Sequence, residues 1–131
     1  MSHRQDKPVL RFGILGTARI AEKVAAAIHA ADGASLDVIG SRDADRAREW
    51  AQGHQVPRSV GDYRRVIDDP EIDAVYIPLP NSMHHAWTLA AAEAGKHVLC
   101  EKPLGIDAQQ ARDMAAACRE HQVQLMDGVM W

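Results

Sequence analysis

Short apolar runs alternate along the chain with longer segments in which apolar residues recur every three or four positions. The short runs predict buried strands, and the longer segments predict amphipathic helices. Strands are predicted at residues 9–15, 36–40, 55–60, 74–77, 96–100 and 122–126, with helices between them. This alternation predicts an α/β fold with a doubly wound parallel sheet. Because parallel crossovers are right-handed, the expected strand order is 3-2-1-4-5-6.

Polar residues at the ends of the apolar segments predict where several helices begin and end. Asp43 and Asp62 are expected to cap the second and third helices, because a carboxylate accepts hydrogen bonds from the free N–H groups of a first turn. Asp107 followed by Gln110 fits a capping box. Gly95 predicts the end of the helix before the fifth strand.

The first predicted strand passes through a glycine turn directly into a helix. This arrangement presents backbone N–H groups to a phosphate at the helix N-terminus. A dinucleotide fingerprint, G-x-G-x-x-G/A, would place its three positions at Gly16, Ala18 and Ala21. Alanine is allowed at the third position, but Ala18 puts a methyl group where the backbone should approach pyrophosphate. The turn therefore predicts a phosphate site with weakened or displaced contact.

The loop after the second strand predicts which dinucleotide is bound. An acidic residue there would bind the ribose 2′-hydroxyl of NAD, whereas an arginine accommodates a 2′-phosphate. The chain has Ser41 and Arg42, and we assign the following Asp43 to the helix cap. NADP is therefore the preferred cofactor, with NAD possible. The alternative is that Arg42 is an ordinary solvated arginine.

Four loops are expected to share the carboxyl edge of the sheet, at residues 16–19, 41–43, 78–81 and 101–105. Within them, Lys102 is the candidate for proton transfer. Glu101 could bind a ribose hydroxyl or orient its loop, and Pro103 would stiffen that loop. The alternative is that these three residues form only a polar turn.

The neighbouring His84 and His85 invite a metal interpretation, which the spacing does not support. Adjacent helix positions point in different directions, and no third ligand lies at a useful spacing. We therefore predict no metal. His84 is a candidate contact for cofactor or substrate at the mouth of the site, and the alternative is a plain helix histidine. Cys100 and Cys118 are expected to be reduced thiols.

The length and net charge of the chain limit its number of domains and the classes of partner that it could bind. The 131 residues suffice for one domain, and a net charge of −3 gives no electrostatic case for nucleic acid or an anionic membrane. No apolar run approaches the roughly 20 residues that span a bilayer, so we expect a cytoplasmic protein. Residues 1–8 are predicted to form a disordered polar tail, and residues 9–131 the domain. The apolar ending at Trp131 suggests that a second domain would begin there.

With these loops placed, the chain resembles the amino-terminal domain of the Gfo/Idh/MocA family, named after glucose–fructose oxidoreductase, inositol dehydrogenase and a rhizopine-catabolism protein. The resemblance runs from about residue 11 to residue 131. Its most specific part is the AGKH…EKP stretch. The matching segments are RFGILGTA at 11–18, Ser41-Arg42, DAVYIPLPNSMH at 73–84, AGKHVLCEKP at 94–103 and MDGVMW at 126–131.

This resemblance implies an NAD(P)-binding Rossmann fold and NAD(P)-dependent oxidation or reduction of sugars, polyols and related alcohols. By the same resemblance, Gly16, Thr17, Ala18, Arg19 and Ile20 hold the pyrophosphate. Ser41 and Arg42 hold the adenosine ribose or its phosphate. Pro80, Asn81 and Glu101 hold the nicotinamide half, and Lys102 matches the catalytic lysine.

By the same resemblance, the family's second domain supplies further catalytic residues and most of the substrate pocket, and we expect this domain to be absent from the chain. The leading hypothesis is therefore the cofactor part of an NADP-preferring oxidoreductase, with Lys102 exchanging the substrate's hydroxyl proton. The alternative is a non-catalytic dinucleotide-binding module or sensor, or an inactive truncated fragment. Apolar surface around Trp131 would favour a homo-oligomer.

Overall fold

The computed structural model describes residues 8–128, and within them a single parallel sheet has the order β3-β2-β1-β4-β5-β6. This order is the one predicted from the sequence. Adjacent strands pair in parallel throughout, and the register joins Leu15 to Gly40 and Ile77 to Cys100. The strands are β1 Leu10–Leu15, β2 Ala34–Gly40, β3 Arg58–Val60, β4 Ala74–Ile77, β5 His97–Cys100 and β6 Leu125–Asp127.

Helices connect the strands and cover both faces of the sheet. A short 3₁₀ turn, Asn81–Met83, precedes the fourth helix. The helices are α1 Ile20–Ala30, α2 Ala44–Gly53, α3 Tyr63–Ile67, α4 His84–Glu93 and α5 Ala108–Glu120.

Two apolar cores lie on opposite faces of the sheet because successive residues of a strand point to opposite sides. In β1, Ile14 belongs to one core and Leu15 to the other. In β4, Tyr76 and Val75 divide in the same way. Helices α1 and α2 cover the face of Ile14, whereas α3, α4 and α5 cover the face of Leu15. This two-sided packing is why the strands are almost wholly apolar.

The predicted aspartate caps are present. The Asp43 carboxylate accepts hydrogen bonds from two N–H groups of α2, and Asp62 and Asp107 each accept one from α3 and α5. The capping box at α5 is only half formed. The Gln110 side chain accepts from the N–H of Ile106, one residue before the cap.

Two strands, β3 and β6, begin three residues later than predicted. At β3, Gln55 has a φ of 57° and the Val56 N–H bonds back to Ala51, so α2 ends where a strand was expected to begin. At β6, Gln122 has a φ of 59° and serves the end of α5 in the same way. Local apolar patterning does not reveal such helix-ending residues.

The ends of the chain lie outside the described residues. Of the expected polar tail, only Pro8 lies within the described residues. Trp131 lies outside them. Among residues 8–128, no helix has both the length and the apolar character needed to cross a membrane.

Candidate functional site

The predicted site loops share one edge of the sheet because β1, β2, β4 and β5 are parallel neighbours that end together. In an open α/β sheet, ligands bind at this carboxyl edge, at the point where the chain reverses its strand order. Here that point lies between β1 and β4. We call this edge the rim, and it consists of the loops at residues 16–19, 41–43, 78–81 and 101–105, together with the first residue of α1, Ile20, and the first turn of α2 at residues 44–46.

The β1–α1 turn depends on Gly16. This residue has a φ of 99°, in the left-handed region that glycine tolerates, and its N–H donates to Gly40 O at 2.7 Å. A Cβ at this position would lie 3.0 Å from Leu79 Cδ2, so the turn also packs closely against the loop after β4.

The beginning of α1 follows directly from this turn. Arg19 precedes the helix in helical conformation and makes no side-chain cap, unlike the aspartates before α2, α3 and α5. Thr17, Ala18 and Ile20 are half-buried, whereas Arg19 is exposed. The N-terminus of α1 therefore carries no side-chain cap at the place where the sequence predicts pyrophosphate, although Glu22 lies in the first turn of the helix.

A polar cleft of about 290 Å³ adjoins this turn. It brings together three of the predicted cofactor residues, Thr17, Ser41 and Arg42. Ser41 is 5% exposed, and its Oγ accepts a hydrogen bond from the Asp43 N–H at 3.2 Å. The lining residues are Thr17, Ser41, Arg42, Asp43, Arg46 and Tyr63.

Two arginines line the cleft, and only Arg42 was predicted from the sequence. Arg46 lies on the first turn of α2, four residues after Arg42. Its position at the start of a predicted helix, directly after the loop of Arg42, was the available signal. Asp43, which lies between them in the sequence, caps α2 through one carboxylate oxygen, Oδ1. It accepts hydrogen bonds from the N–H groups of Asp45 and Arg46 at 2.9 and 3.2 Å. Paired arginines favour a phosphate ligand, because guanidinium–phosphate hydrogen bonds are charge-assisted.

On the other side of the rim, the Glu101 carboxylate is held in place by two residues that the sequence analysis missed. Tyr76, on β4, is fully buried, and its hydroxyl donates to Glu101 Oε2 at 2.6 Å. Burial, followed by the hydrogen bond and the charge of Glu101, raises the pKa of Tyr76, so the phenol keeps its proton and remains a donor. Gly128 packs on the same carboxylate, and a Cβ there would lie 2.5 Å from Oε2.

Lys102 follows Glu101 and is exposed at the rim. Pro80 and Asn81, at the end of the neighbouring loop, are also exposed. The peptide bond from Lys102 to Pro103 is cis. The three side chains predicted to meet the nicotinamide half and the substrate are thus open to solvent on adjacent loops.

His84 is placed differently from the other predicted contacts. Its side chain is fully buried, with Nε2 2.7 Å from Leu79 O and Nδ1 2.7 Å from Pro103 O. The adjacent His85 points away and meets Asp113 Oδ2 at 3.2 Å. The part of the chain that the structure describes contains no cluster of three or more histidine, cysteine, aspartate or glutamate residues suited to a metal.

The two cysteines are free and buried, and neither is an activated nucleophile. Burial raises the pKa of the Cys100 thiol to about 12, and the charges of Glu101 and Asp127 act in the same direction. Burial also raises the pKa of Cys118. Both thiols therefore stay protonated at neutral pH.

A larger groove of about 740 Å³ runs between α5 and the edge strand β6. It contains none of the predicted site residues. The rim is consequently distinguished by its chemistry and its position in the fold, and not by the size of its cleft.

The doubly wound sheet, with its glycine turn at the switch point, defines an NAD-binding Rossmann domain. The model of the oxidoreductase family with an NAD-binding Rossmann fold matches residues 10–129. The chain belongs to this family, Gfo/Idh/MocA, as the sequence resemblance implied.

Individual relatives are consistent with this membership. The chain is 54% identical over 103 residues to an uncharacterized oxidoreductase of Rhizobium meliloti, covering 78% of this chain. It is 42% identical over 123 residues, or 93% of the chain, to a D-xylose 1-dehydrogenase (NADP(+)) of Haloferax volcanii. The matches cover 31% and 38% of these relatives, so the chain spans about a third of their length.

Solved structures match to a similar extent. A 3-ketoreductase from Actinomadura kijaniata, crystallised with NADP and TDP-benzene, has a TM-score of 0.88 at 36% identity, covering 92% of this chain and 37% of that one. An NAD-binding oxidoreductase from Klebsiella pneumoniae has a TM-score of 0.87 at 32% identity, covering 92% and 34%.

Proposed function

We propose that this chain is the cofactor-binding part of an oxidoreductase that transfers a hydride between a nicotinamide and a sugar, a polyol or a related alcohol or carbonyl compound. NADP is the preferred cofactor and NAD a possible one. The observation that carries the proposal is the cleft beside the α1 turn, where Ser41, Arg42 and Arg46 line one cavity.

The preference for NADP follows from the charges in that cleft. Arg42 and Arg46 suit a 2′-phosphate, and one oxygen of the Asp43 carboxylate, which could otherwise bind a ribose hydroxyl, accepts hydrogen bonds from two N–H groups of α2. The named cofactor of the Haloferax volcanii relative and the NADP bound in the Actinomadura kijaniata structure support the same choice.

The remaining rim residues would divide the rest of the cofactor between them. The turn from Gly16 to Ile20 would hold the pyrophosphate at the N-terminus of α1. Pro80, Asn81 and Glu101 would border the nicotinamide half, with the Glu101 carboxylate held by Tyr76. The bound dinucleotide supplies the hydride chemistry.

Lys102 is the proposed acid or base. Its Nζ would exchange a proton with the substrate oxygen as the carbon beside that oxygen gains or loses hydride. Its exposure on the rim leaves it free to meet a substrate. We further propose that the other wall of the substrate pocket comes from the part of the relatives that this chain does not match, and that the protein works in the cytoplasm.

A titration of the chain with NADPH and NADH tests the cofactor assignment. We expect NADPH to bind more tightly than NADH, because only NADPH carries the 2′-phosphate. Circular dichroism on the same sample confirms that the chain is folded. If a folded chain binds neither dinucleotide more tightly than millimolar, the proposal fails.

The second candidate is a non-catalytic dinucleotide-binding module, a sensor or an inactive fragment. The exposure of Pro80, Asn81 and Lys102 favours it, because water would reach a hydride exposed on an open rim. Incubation of the chain with NADP and a panel of sugars and polyols separates the two, since an enzyme produces NADPH absorbance whereas a module binds without turnover.

We also propose that the chain self-associates. An apolar groove of about 370 Å³ on the sheet is lined in part by Phe12, Leu99 and Met126, and Met126 is 64% exposed. Light scattering is expected to show dimers or larger species. A monomer at high concentration would contradict this.

A further inference from the structure

The ring of His84 lies between the two loops that border the proposed nicotinamide position. One nitrogen meets the carbonyl of Leu79, the residue before Pro80, and the other meets the carbonyl of Pro103, the residue after Lys102. Both distances are 2.7 Å. A single buried side chain thus connects the backbone of both loops.

We propose that His84 is a positioning residue that ties the loop after β4 to the loop after β5 and thereby sets the separation of Asn81 and Lys102. This role rests on the proposed function, in which those two residues face the same cofactor and substrate. His84 itself is fully buried and acts through the backbone of its neighbours. In this proposal, His84 supports the cofactor site indirectly and does not make the direct cofactor contact that was predicted from the sequence.

The strand ladder cannot supply this connection, because it ends before the loops reach the rim. Among residues 8–128, the ladder between the two segments closes with the hydrogen bond from the Glu101 N–H to Ile77 O at 3.1 Å. Beyond it, Leu79 and Pro103 have no direct backbone hydrogen bond to each other in the described chain. The His84 ring fills this interval.

The chemistry of the two partners makes the connection specific. A carbonyl oxygen only accepts hydrogen bonds, so a ring nitrogen that carries hydrogen donates to the loop that it faces, while the ring itself fills the space between the two carbonyls. The tie therefore combines the fit of the ring between the loops with a hydrogen-bond donor, and a buried apolar residue of similar size supplies no donor.

Two variants and a control separate this role from ordinary packing. His84→Leu fills a similar space without a donor, whereas His84→Gln retains an amide donor. His85→Gln alters the next residue of the same helix, which contacts Asp113 on α5 and neither loop. A packing role predicts that the leucine variant is tolerated at least as well as the glutamine variant, and a positioning role predicts the reverse.

The first test is NMR of the ¹⁵N-labelled chain without cofactor. We expect a ring N–H of His84 to give a signal that is protected from exchange with solvent. In both variants at this position, the amide signals of Asn81 and Lys102 should shift together, while those of the Gly16 turn stay in place. The absence of a protected ring N–H at His84, or loop shifts confined to one side, would overturn the proposal.

The second test is NADPH affinity. We expect His84→Leu to weaken it about tenfold, the equivalent of one lost interaction of about 1.4 kcal/mol. We expect His84→Gln to recover part of that loss and His85→Gln to match the unmodified chain. Equal affinity of folded His84→Leu and unmodified chain would contradict the proposal. If His84→Leu does not fold, the same comparison rests on His84→Gln, whose affinity should fall between that of the unmodified chain and a tenfold loss.

The two tests also separate this inference from the proposed function. If the unmodified chain binds neither NADPH nor NADH, the cofactor assignment fails. The NMR comparison still decides whether His84 joins the two loops, because it needs no cofactor.

Discussion

The two halves of the rim are built in opposite ways. The half at residues 16–20 and 41–46 presents exposed arginines around a small polar cleft, and its one buried polar side chain is Ser41. The half at residues 78–81 and 101–105 is supported from below by the fully buried Tyr76 and His84. The first half therefore offers charge, and the second half offers fixed geometry.

This difference matches what each end of a dinucleotide would require. A phosphate is recognised by charge-assisted hydrogen bonds that long, exposed side chains can adjust to form. Proton and hydride transfer require reacting groups held within about 0.5 Å of their productive position by well-packed supporting residues. The comparison predicts that variants in the first half change cofactor choice, whereas variants in the second half change turnover.

The largest effect is expected at Lys102. In a longer form of the protein that also contains the part of the relatives that this chain does not match, Lys102→Ala should lower the proposed kcat by about 10²- to 10⁴-fold, because a positioned proton donor or acceptor is lost. NADPH affinity should change little. Steady-state kinetics with a direct binding measurement checks both, and unchanged turnover would remove Lys102 from its proposed role.

The next effect is expected in the charged half. Arg42→Ala and Arg46→Ala should each weaken NADPH binding by about tenfold or more, since hydrogen bonds to charged groups contribute about 1.5–3 kcal/mol. NADH affinity should stay the same, because NADH has no 2′-phosphate. Fluorescence titration at two salt concentrations measures this, and an equal loss for both dinucleotides would show that the arginines do not select NADP.

A smaller effect is expected where Tyr76 and Gly128 hold Glu101. Tyr76→Phe should lower the free energy of unfolding by about 1–2 kcal/mol, because the half-buried carboxylate loses its donor. Gly128→Ala should displace the same carboxylate, because an added Cβ would lie too close to it. Urea unfolding gives the stability, and an NADPH affinity unchanged in both variants would mean that the position of Glu101 does not matter for binding.

The smallest effect is expected at the opposite end of the sheet, which serves as a control. Burial alone would raise the pKa of Asp73, but hydrogen bonds from the Arg11 backbone and guanidinium outweigh it and lower that pKa. A lowered pKa in the folded state stabilises the fold above the unfolded pKa of about 3.9, and this contribution is lost as the pH falls. Both side chains are about a third or more exposed, so the contribution should stay below about 1 kcal/mol.

Asp73→Asn should therefore unfold with a weaker dependence on pH below about 4 than the unmodified chain, and NADPH affinity at neutral pH should be unaffected. Urea unfolding at several pH values measures the first point. An identical pH dependence in the two proteins would show that the Arg11 contact does not stabilise the charged form of Asp73.

The sequence predicted the fold well because its signals are local. Apolar runs and aspartate caps lie within a few residues of the structure they specify, and the sheet order follows from chirality. The predicted starts of β3 and β6 were wrong, because Gln55 and Gln122 take left-handed conformations that glycine or asparagine more often adopts.

The candidate site was predictable only in part. Ser41 and Arg42 follow a strand, so the sequence alone could place them on the rim. The partners of Glu101 could not be found in this way, because Tyr76 looks like any apolar strand residue and Gly128 lies far along the chain. The burial of His84 likewise depends on two loops that only the tertiary structure brings together.

Amide chemical-shift mapping of the ¹⁵N-labelled chain with NADPH, and separately with 2′,5′-ADP, tests the division of the rim most directly. With 2′,5′-ADP, which lacks the nicotinamide half, we expect shifts at residues 41–46 and none at residues 101–105. With NADPH, both halves and the Gly16 turn should respond. Shifts that avoid residues 41–46 with both ligands, in a folded chain, would contradict the account.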